Sequence, residues 1–106
     1  MAQFDVHRNN GRYRDSIPYV VVVQSALFDD YARRVVVPLV KESAVGKIAD
    51  PRFNPAFKIG NTAVVLHPLE TVSVASDKLG KPVMSLAKEG GRIIDALDAL
   101  LTRAWG

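Results

Sequence analysis

Two short stretches, Tyr19-Val20-Val21-Val22-Val23 and Val35-Val36-Val37-Pro38-Leu39-Val40, restrict the fold more than anything else in the chain. Side chains branched at Cβ are stiff about χ1, which disfavours helix and suits a pleated surface. Both stretches are therefore expected as strands. Proline has no N–H to give to a ladder, so Pro38 predicts that the second strand lies at an edge or is bulged there. Neither stretch approaches the roughly 20 apolar residues of a membrane-spanning helix.

The remaining strand signals are weaker but regular. Residues 3–8 alternate and run into Asn9-Asn10-Gly11, which predicts a first strand entering a hairpin. Residues 53–59, the turn Gly60-Asn61 and residues 62–67 read as a second hairpin, and residues 71–75 and Pro82-Val83 as further short strands. The pattern then changes. From Arg92 onward, apolar residues fall at Ile93, Ile94, Leu97, Leu100, Leu101, Ala104 and Trp105, with Asp95, Asp98, Thr102 and Arg103 largely opposite. That is the spacing of an amphipathic helix. Gly90-Gly91 marks its boundary, since glycine inside a helix costs about 1 kcal/mol against alanine. At 106 residues the chain has room for one domain, residues 1–106. Many short strands followed by one helix predict a mainly β fold, a small barrel or curved antiparallel sheet with a docked C-terminal helix.

Composition excludes several functions. There are no cysteines, hence no disulfide, thiolate zinc site or cysteine nucleophile. The residues after Met1 carry neither a basic region nor an apolar core of a secretory signal, so a cytoplasmic protein is expected. The net charge of +3 is modest, with its excess in Arg8, Arg12 and Arg14 and in the pair Arg33-Arg34. A nucleic-acid module of this size carries a denser stripe, because affinity depends on neutralising several phosphates at once. The charge is compatible with an acidic partner but does not name one.

Catalytic signals are nearly silent. Phosphate-loop, dinucleotide and nucleophile-elbow motifs are missing, and His7 and His67 have no second ligand at metal spacing, so no catalytic residue, metal or cofactor is expected. His67, before Pro68, is expected to cap or line a turn. Asp29-Asp30 beside Arg33-Arg34 reads as a recognition patch or as a solvated connection between strands, and spacing favours the second. Leu27 and Phe28 on a pleated strand would face opposite sides, leaving one of them exposed. Trp105, the lone tryptophan and penultimate residue, is either pinned to the core or displayed as a binding hot spot; spacing alone favours the core.

Taken in order, Arg12-Tyr13-Arg14, Val23-Gln24-Ser25, Arg33-Arg34 leading into Val37-Pro38-Leu39, Ile59-Gly60 and the closing Trp105-Gly106 resemble the CcdB family. These are toxins of CcdA–CcdB toxin–antitoxin pairs and poisons of bacterial DNA gyrase. The likeness runs the length of the chain and is poorest over residues 71–91. It implies an SH3-like barrel with an antiparallel sheet, a small extra sheet and a C-terminal helix, assembled as a homodimer. It also implies a protein inhibitor of a type II topoisomerase, not an enzyme: one that binds the gyrase A subunit and traps the cleaved gyrase–DNA complex until a CcdA-like antitoxin neutralises it. By position, Trp105, Gly106, Leu101, Leu27 and Phe28 match the gyrase-contacting residues. The disordered antitoxin tail of such pairs suits a basic surface, for which Arg12, Arg14, Arg33 and Arg34 are the candidates. The chain departs from the family pattern at Arg103 and Ala104, where an apolar and an aromatic residue are usual. A sister family resembling MazF and Kid uses the same barrel as an endoribonuclease, and a non-toxic member that only binds antitoxin is a third reading.

Overall fold

The computed structural model describes residues 2–47 and 50–102. Seven strands form one antiparallel sheet: β1 Asp5–Arg8, β2 Tyr19–Val22, β3 Arg33–Lys41, β4 Ala56–Ile59, β5 Thr62–Leu66, β6 Val72–Ala75 and β7 Pro82–Ser85. Two helices follow strands, the single turn α1 Glu42–Val45 and the long terminal α2 Gly90–Thr102. The strand order is β4-β5-β3-β2-β1-β7, with β6 on β3 beside the main path. The sheet curls into a half-barrel closed by α2, an SH3-like barrel arrangement. Among the described residues no helix is long and apolar enough to cross a membrane.

The nine-residue β3 organises everything else. One long edge pairs with β2, from Tyr19 opposite Leu39 to Val22 opposite Val36. The other edge is shared: its first half pairs with β6 and its second half with β5. The small extra sheet implied by the family resemblance is therefore continuous with the main one through β3. Pro38 lies at the changeover between β6 and β5. Contrary to the sequence expectation, β3 is a central strand and not an edge. Its Pro38 carbonyl accepts from the His67 amide (3.1 Å), on the β5 side. A strand residue points its N and C=O the same way, so the missing N–H faces the gap between two partner strands and costs no ladder bond.

The valine runs make sense once both faces of the sheet are considered. Val6, Val21, Val37 and Leu39 meet Phe57, Ile59, Val64 and Leu66 in the main core, which Leu86, Ile93 and Ala96 complete. The opposite face buries Val22, Val36 and Val65 as well. Strands covered on both faces lose their alternation and read as continuous apolar runs.

Helix α2 begins at the glycine pair, as its spacing predicts. Ile93 and Ala96 are buried, Leu97 is half-buried against the core, and Ile94 and Leu101 are exposed. Gly90 is needed because a Cβ there would lie 2.6 Å from the Phe4 ring. Phe4 itself adopts φ 70°, a conformation that bulky side chains rarely take. It gives its amide to Val22 (2.6 Å) and takes that of Leu86 (2.8 Å), so it ties β2 to the segment leading into α2. In the β4–β5 hairpin, Gly60 has φ 61° and Asn61 an ordinary one, the pattern of a two-residue II′ turn. The β1–β2 connection is longer than the predicted tight turn. Asn9 closes it, with Nδ2 donating to the Ile17 carbonyl (2.8 Å) and Oδ1 accepting from the Gly11 amide (2.9 Å).

A second close approach yields a test. A Cβ on Gly80 would sit 2.4 Å from the Arg8 backbone carbonyl, which cannot yield without disturbing β1, whereas nothing lies within 4 Å of one on Gly91. Gly80→Ala is expected to cost about 2 kcal/mol, and Gly91→Ala to gain up to about 1 kcal/mol. Thermal or urea unfolding of the two variants measures both.

Candidate functional site

Three exposed large apolar side chains, Leu27, Phe28 and Tyr31, cluster between β2 and β3. Leu27 and Phe28 lie on a 3₁₀ turn, Ala26–Phe28, and are 86% and 49% exposed. The expectation of a pleated strand with one of the two hidden is corrected: three residues of 3₁₀ turn put both side chains outside. Tyr31, also exposed, meets Phe28 edge-on with ring centroids 6.0 Å apart.

This loop is held from beneath by three polar side chains. Ser25 Oγ accepts from the Leu27 amide (3.2 Å) and caps the turn. Gln24 continues the sheet after β2 ends: its Oε1 accepts from the Val35 amide (3.0 Å), while Nε2 donates to the carbonyls of Phe28 (3.0 Å) and Arg33 (3.2 Å). Arg34 is 6% exposed. Its guanidinium donates to the carbonyls of Asp29 (2.7 Å), Arg33 (2.9 Å) and Tyr31. A loop of exposed apolar residues is thus given a fixed shape by a buried cation bonded to its backbone.

The predicted solvated connection of Asp29-Asp30 with Arg33-Arg34 is therefore corrected as well. The arginine of the pair that matters bonds carbonyls rather than carboxylates, because turning carbonyls inward is what exposes the apolar side chains. Away from this loop, Arg92 and Glu89 form an ion pair (3.1 Å).

The other candidate residues fall in separate places. Arg12 and Arg14 are exposed on the β1–β2 connection. Arg33, exposed at the start of β3, donates to the hydroxyl and carbonyl oxygens of Ser73 on β6, both at 2.8 Å. Arg34 differs from these three in being buried and committed to the loop. Leu101, 76% exposed, lies in the last turn of α2. Trp105 and Gly106, with Arg103 and Ala104, lie outside the described residues. Gln24 and Tyr31 were not singled out in the sequence; the only signal for Gln24 was its place in Val23-Gln24-Ser25, directly after the valine run.

The two histidines lie in different surroundings. His7 is 2% exposed, and its Nδ1 donates to the Gly80 carbonyl (3.0 Å). His67 precedes the 3₁₀ turn Pro68–Glu70; its carbonyl takes the Glu70 amide (3.0 Å) and its side chain makes no cap. With Tyr13, Ser16 and Glu70 it lines an open cleft of about 370 Å³ that has no arginine or lysine in its wall. Among the described residues no group of three or more His, Asp and Glu stands close enough to hold a metal.

Residues 3–103 match the family described as CcdB protein. The chain belongs to the CcdB family. Among solved structures it is similar to an endoribonuclease in complex with its cognate antitoxin from Mycobacterial species, with a TM-score of 0.72 and 16% identity over 95% of this chain and 94% of that one. At that identity the likeness speaks for the fold. Comparison with curated protein sequences finds no match. The family match includes the Gln24–Arg34 clamp and the exposed loop it shapes, along with all of α2.

The clamp can be tested without any partner. Gln24→Ala leaves the Val35 amide without its acceptor and takes one of two donors from each of the Phe28 and Arg33 carbonyls, which keep the Tyr31 amide and Arg34, a loss of about 1–2 kcal/mol. Hydrogen exchange at Phe28 and Asp29 should accelerate severalfold in this variant while the β4–β5 hairpin stays unchanged.

Proposed function

We propose that this CcdB-family toxin binds the DNA gyrase A subunit, holds the enzyme in its DNA-cleaved state, and is silenced by a CcdA-like antitoxin. The observation that carries the proposal is the clamped loop. Exposing a large apolar side chain forgoes about 1.5–3 kcal/mol of burial, and here two are exposed side by side on a loop whose shape is already fixed. A preorganised loop has less ordering entropy to lose on binding, which suits a partner surface.

Trapping needs no chemistry from the toxin. A ligand shifts a conformational equilibrium by its difference in affinity between the two states. A toxin that binds gyrase with its DNA gate cleaved and open, and not with the gate closed, removes the state from which religation occurs. Leu27 and Phe28 supply apolar contact in this reading. Leu101, Trp105 and Gly106 supply the second contact, where the indole face takes an arginine of gyrase, worth about 2 kcal/mol when desolvated. The half-buried and exposed apolar residues Ile94, Leu97 and Leu101 of α2 fit a homodimer that brings two such helix ends together. Arg12, Arg14 and Arg33 offer exposed positive charge to an acidic antitoxin, while Arg34 shapes the loop next to it.

The experiment combines the protein with gyrase, supercoiled plasmid and ATP, followed by SDS and protease. Linear DNA that depends on the protein is expected, reduced at least about tenfold in Leu27→Asp and in Trp105→Ala if each contact contributes more than about 1.4 kcal/mol. No linear DNA from the folded wild-type protein overturns the gyrase reading.

The endoribonuclease reading has one observation in its favour besides the neighbour's activity, the cleft that joins His67, Glu70 and Tyr13. An acid–base pair there would act on RNA without a lining cation to receive the phosphate, which is where the reading is weak. RNA cleavage by the purified protein, lost in His67→Ala, would establish it.

A further inference from the structure

An open groove of about 820 Å³ runs along the seam of the half-barrel. Its walls are the two outermost strands of the sheet. Ala56, Phe57 and Lys58 of β4 stand on one side and Met84 and Ser85 of β7 on the other, with Leu86, Lys88 and Arg92 at the end nearest α2. Curling has brought the two free edges of one sheet to face the same space without joining them.

The hydrogen-bond pattern says which backbone groups are unused. Leu86 gives its amide to Phe4 on the β1 side of β7, so by alternation the N–H and C=O of Ser85 face away from β1. The Pro55 carbonyl accepts from Leu66 on the β5 side, so the backbone groups of Ala56 and Lys58 face away from β5. The Ala56 carbonyl is taken by Arg92 (3.0 Å). Those of Lys58 and Ser85 have no backbone partner among the described residues.

Charge decides what such a groove accepts. Arg92, held over the Phe57 ring at 4.6 Å, is offset by Glu89 (3.1 Å). Lys58 and Lys88 have no acidic partner among the described residues. A second copy presenting the same edge would set these lysines against their own counterparts, a common device against edge-to-edge pairing. An extended segment with acidic side chains meets no such opposition.

We propose that the seam between β4 and β7 binds an extended acidic peptide segment of a partner protein, which adds as a strand through the backbone of Lys58 or Ser85 and places its carboxylates on Lys58 and Lys88. Strand addition of this kind takes its affinity from main-chain bonds and its selectivity from side chains. The proposal rests on the toxin–antitoxin reading only for the source of the segment, not for the site.

The test uses the full chain and a blocked peptide of alternating glutamate and valine, with an alternating lysine and valine peptide as control. Hydrogen exchange resolved by residue should show the amide of Lys58, of Ser85, or of both slowing at least about tenfold with the acidic peptide and unchanged with the basic one. The double variant Lys58→Glu, Lys88→Glu, folded by circular dichroism, should lose about tenfold or more in affinity. Binding without protection of either amide, binding unaffected by the double variant, or no binding overturns the proposal. So does protection of these amides in the free protein that rises with its concentration, which would assign the edges to a second copy. Gyrase poisoning is scored separately: seam protection without any effect of the peptide on poisoning leaves the site intact and removes only its link to neutralisation.

Discussion

A strand with three partners is the constraint from which the rest of the molecule follows. Strand β3 holds β2 along one edge and divides the other between β6 and β5, so three different segments take their register from it. Such a division leaves a point where neither of the two partners is in place, and any residue there has an unused backbone site. Pro38 occupies that point and has no N–H to waste. A residue that would damage most central strands is the natural choice at this one position. Sharing also fixes where β3 begins. Above its start, Arg34 is still within the sheet while its side chain reaches the loop that arrives from β2.

The loop is thereby an extension of the sheet rather than an appendage. Gln24 imitates a strand residue with its side chain, taking the Val35 amide in place of the backbone that has turned away. Arg34 does the work of a small core for a segment that has none, since its buried guanidinium binds the Asp29 and Tyr31 carbonyls, which would otherwise point into protein unsatisfied. The consequence is inverted packing, with polar groups inside and Leu27, Phe28 and Tyr31 outside. Rigidity of the apolar surface and burial of the arginine are therefore two sides of one arrangement. An Arg34→Lys chain could not reproduce it, because one ammonium cannot span several carbonyls as the planar fork does.

The parts of this arrangement differ in how plainly the sequence showed them. The valine runs announced β2 and β3, and the spacing from Ile93 to Leu101 announced α2, because burial imposes a period or an unbroken apolar stretch on the residues concerned. Gly60-Asn61 announced its turn through backbone conformation. Pro38 misled, since a lone proline reports that an N–H is unused but not whether the reason is an edge or a gap between neighbours. Leu27 and Phe28 stand out in the sequence as adjacent large apolar residues, but the strand period does not reach them, because Ser25 caps a turn first. Arg34 was indistinguishable from Arg33 beside it. Which of two adjacent arginines is buried depends on the pleat of β3, and so on a register set by partners as distant in sequence as Ala75 is from Arg33.

The same pleat explains why the barrel stays open. Closing it would require β4 and β7 to pair, yet each edge carries a reason not to. Arg92 has taken the Ala56 carbonyl, β7 starts with a proline and bulges near Val83, and Lys58 faces the space between. Helix α2 stands behind these features, because Arg92 in its first turn is anchored over Phe57 and so fixes the helix relative to β4. A barrel propped open by its own closing helix keeps two unsatisfied edges within one groove. Water can satisfy them in the free protein, but at the entropy of ordering along an apolar floor formed by Phe57 and Leu86. An extended chain satisfies the same groups and covers the floor at once. The opening is thus better understood as a consequence of how α2 docks than as a failure of the sheet to close.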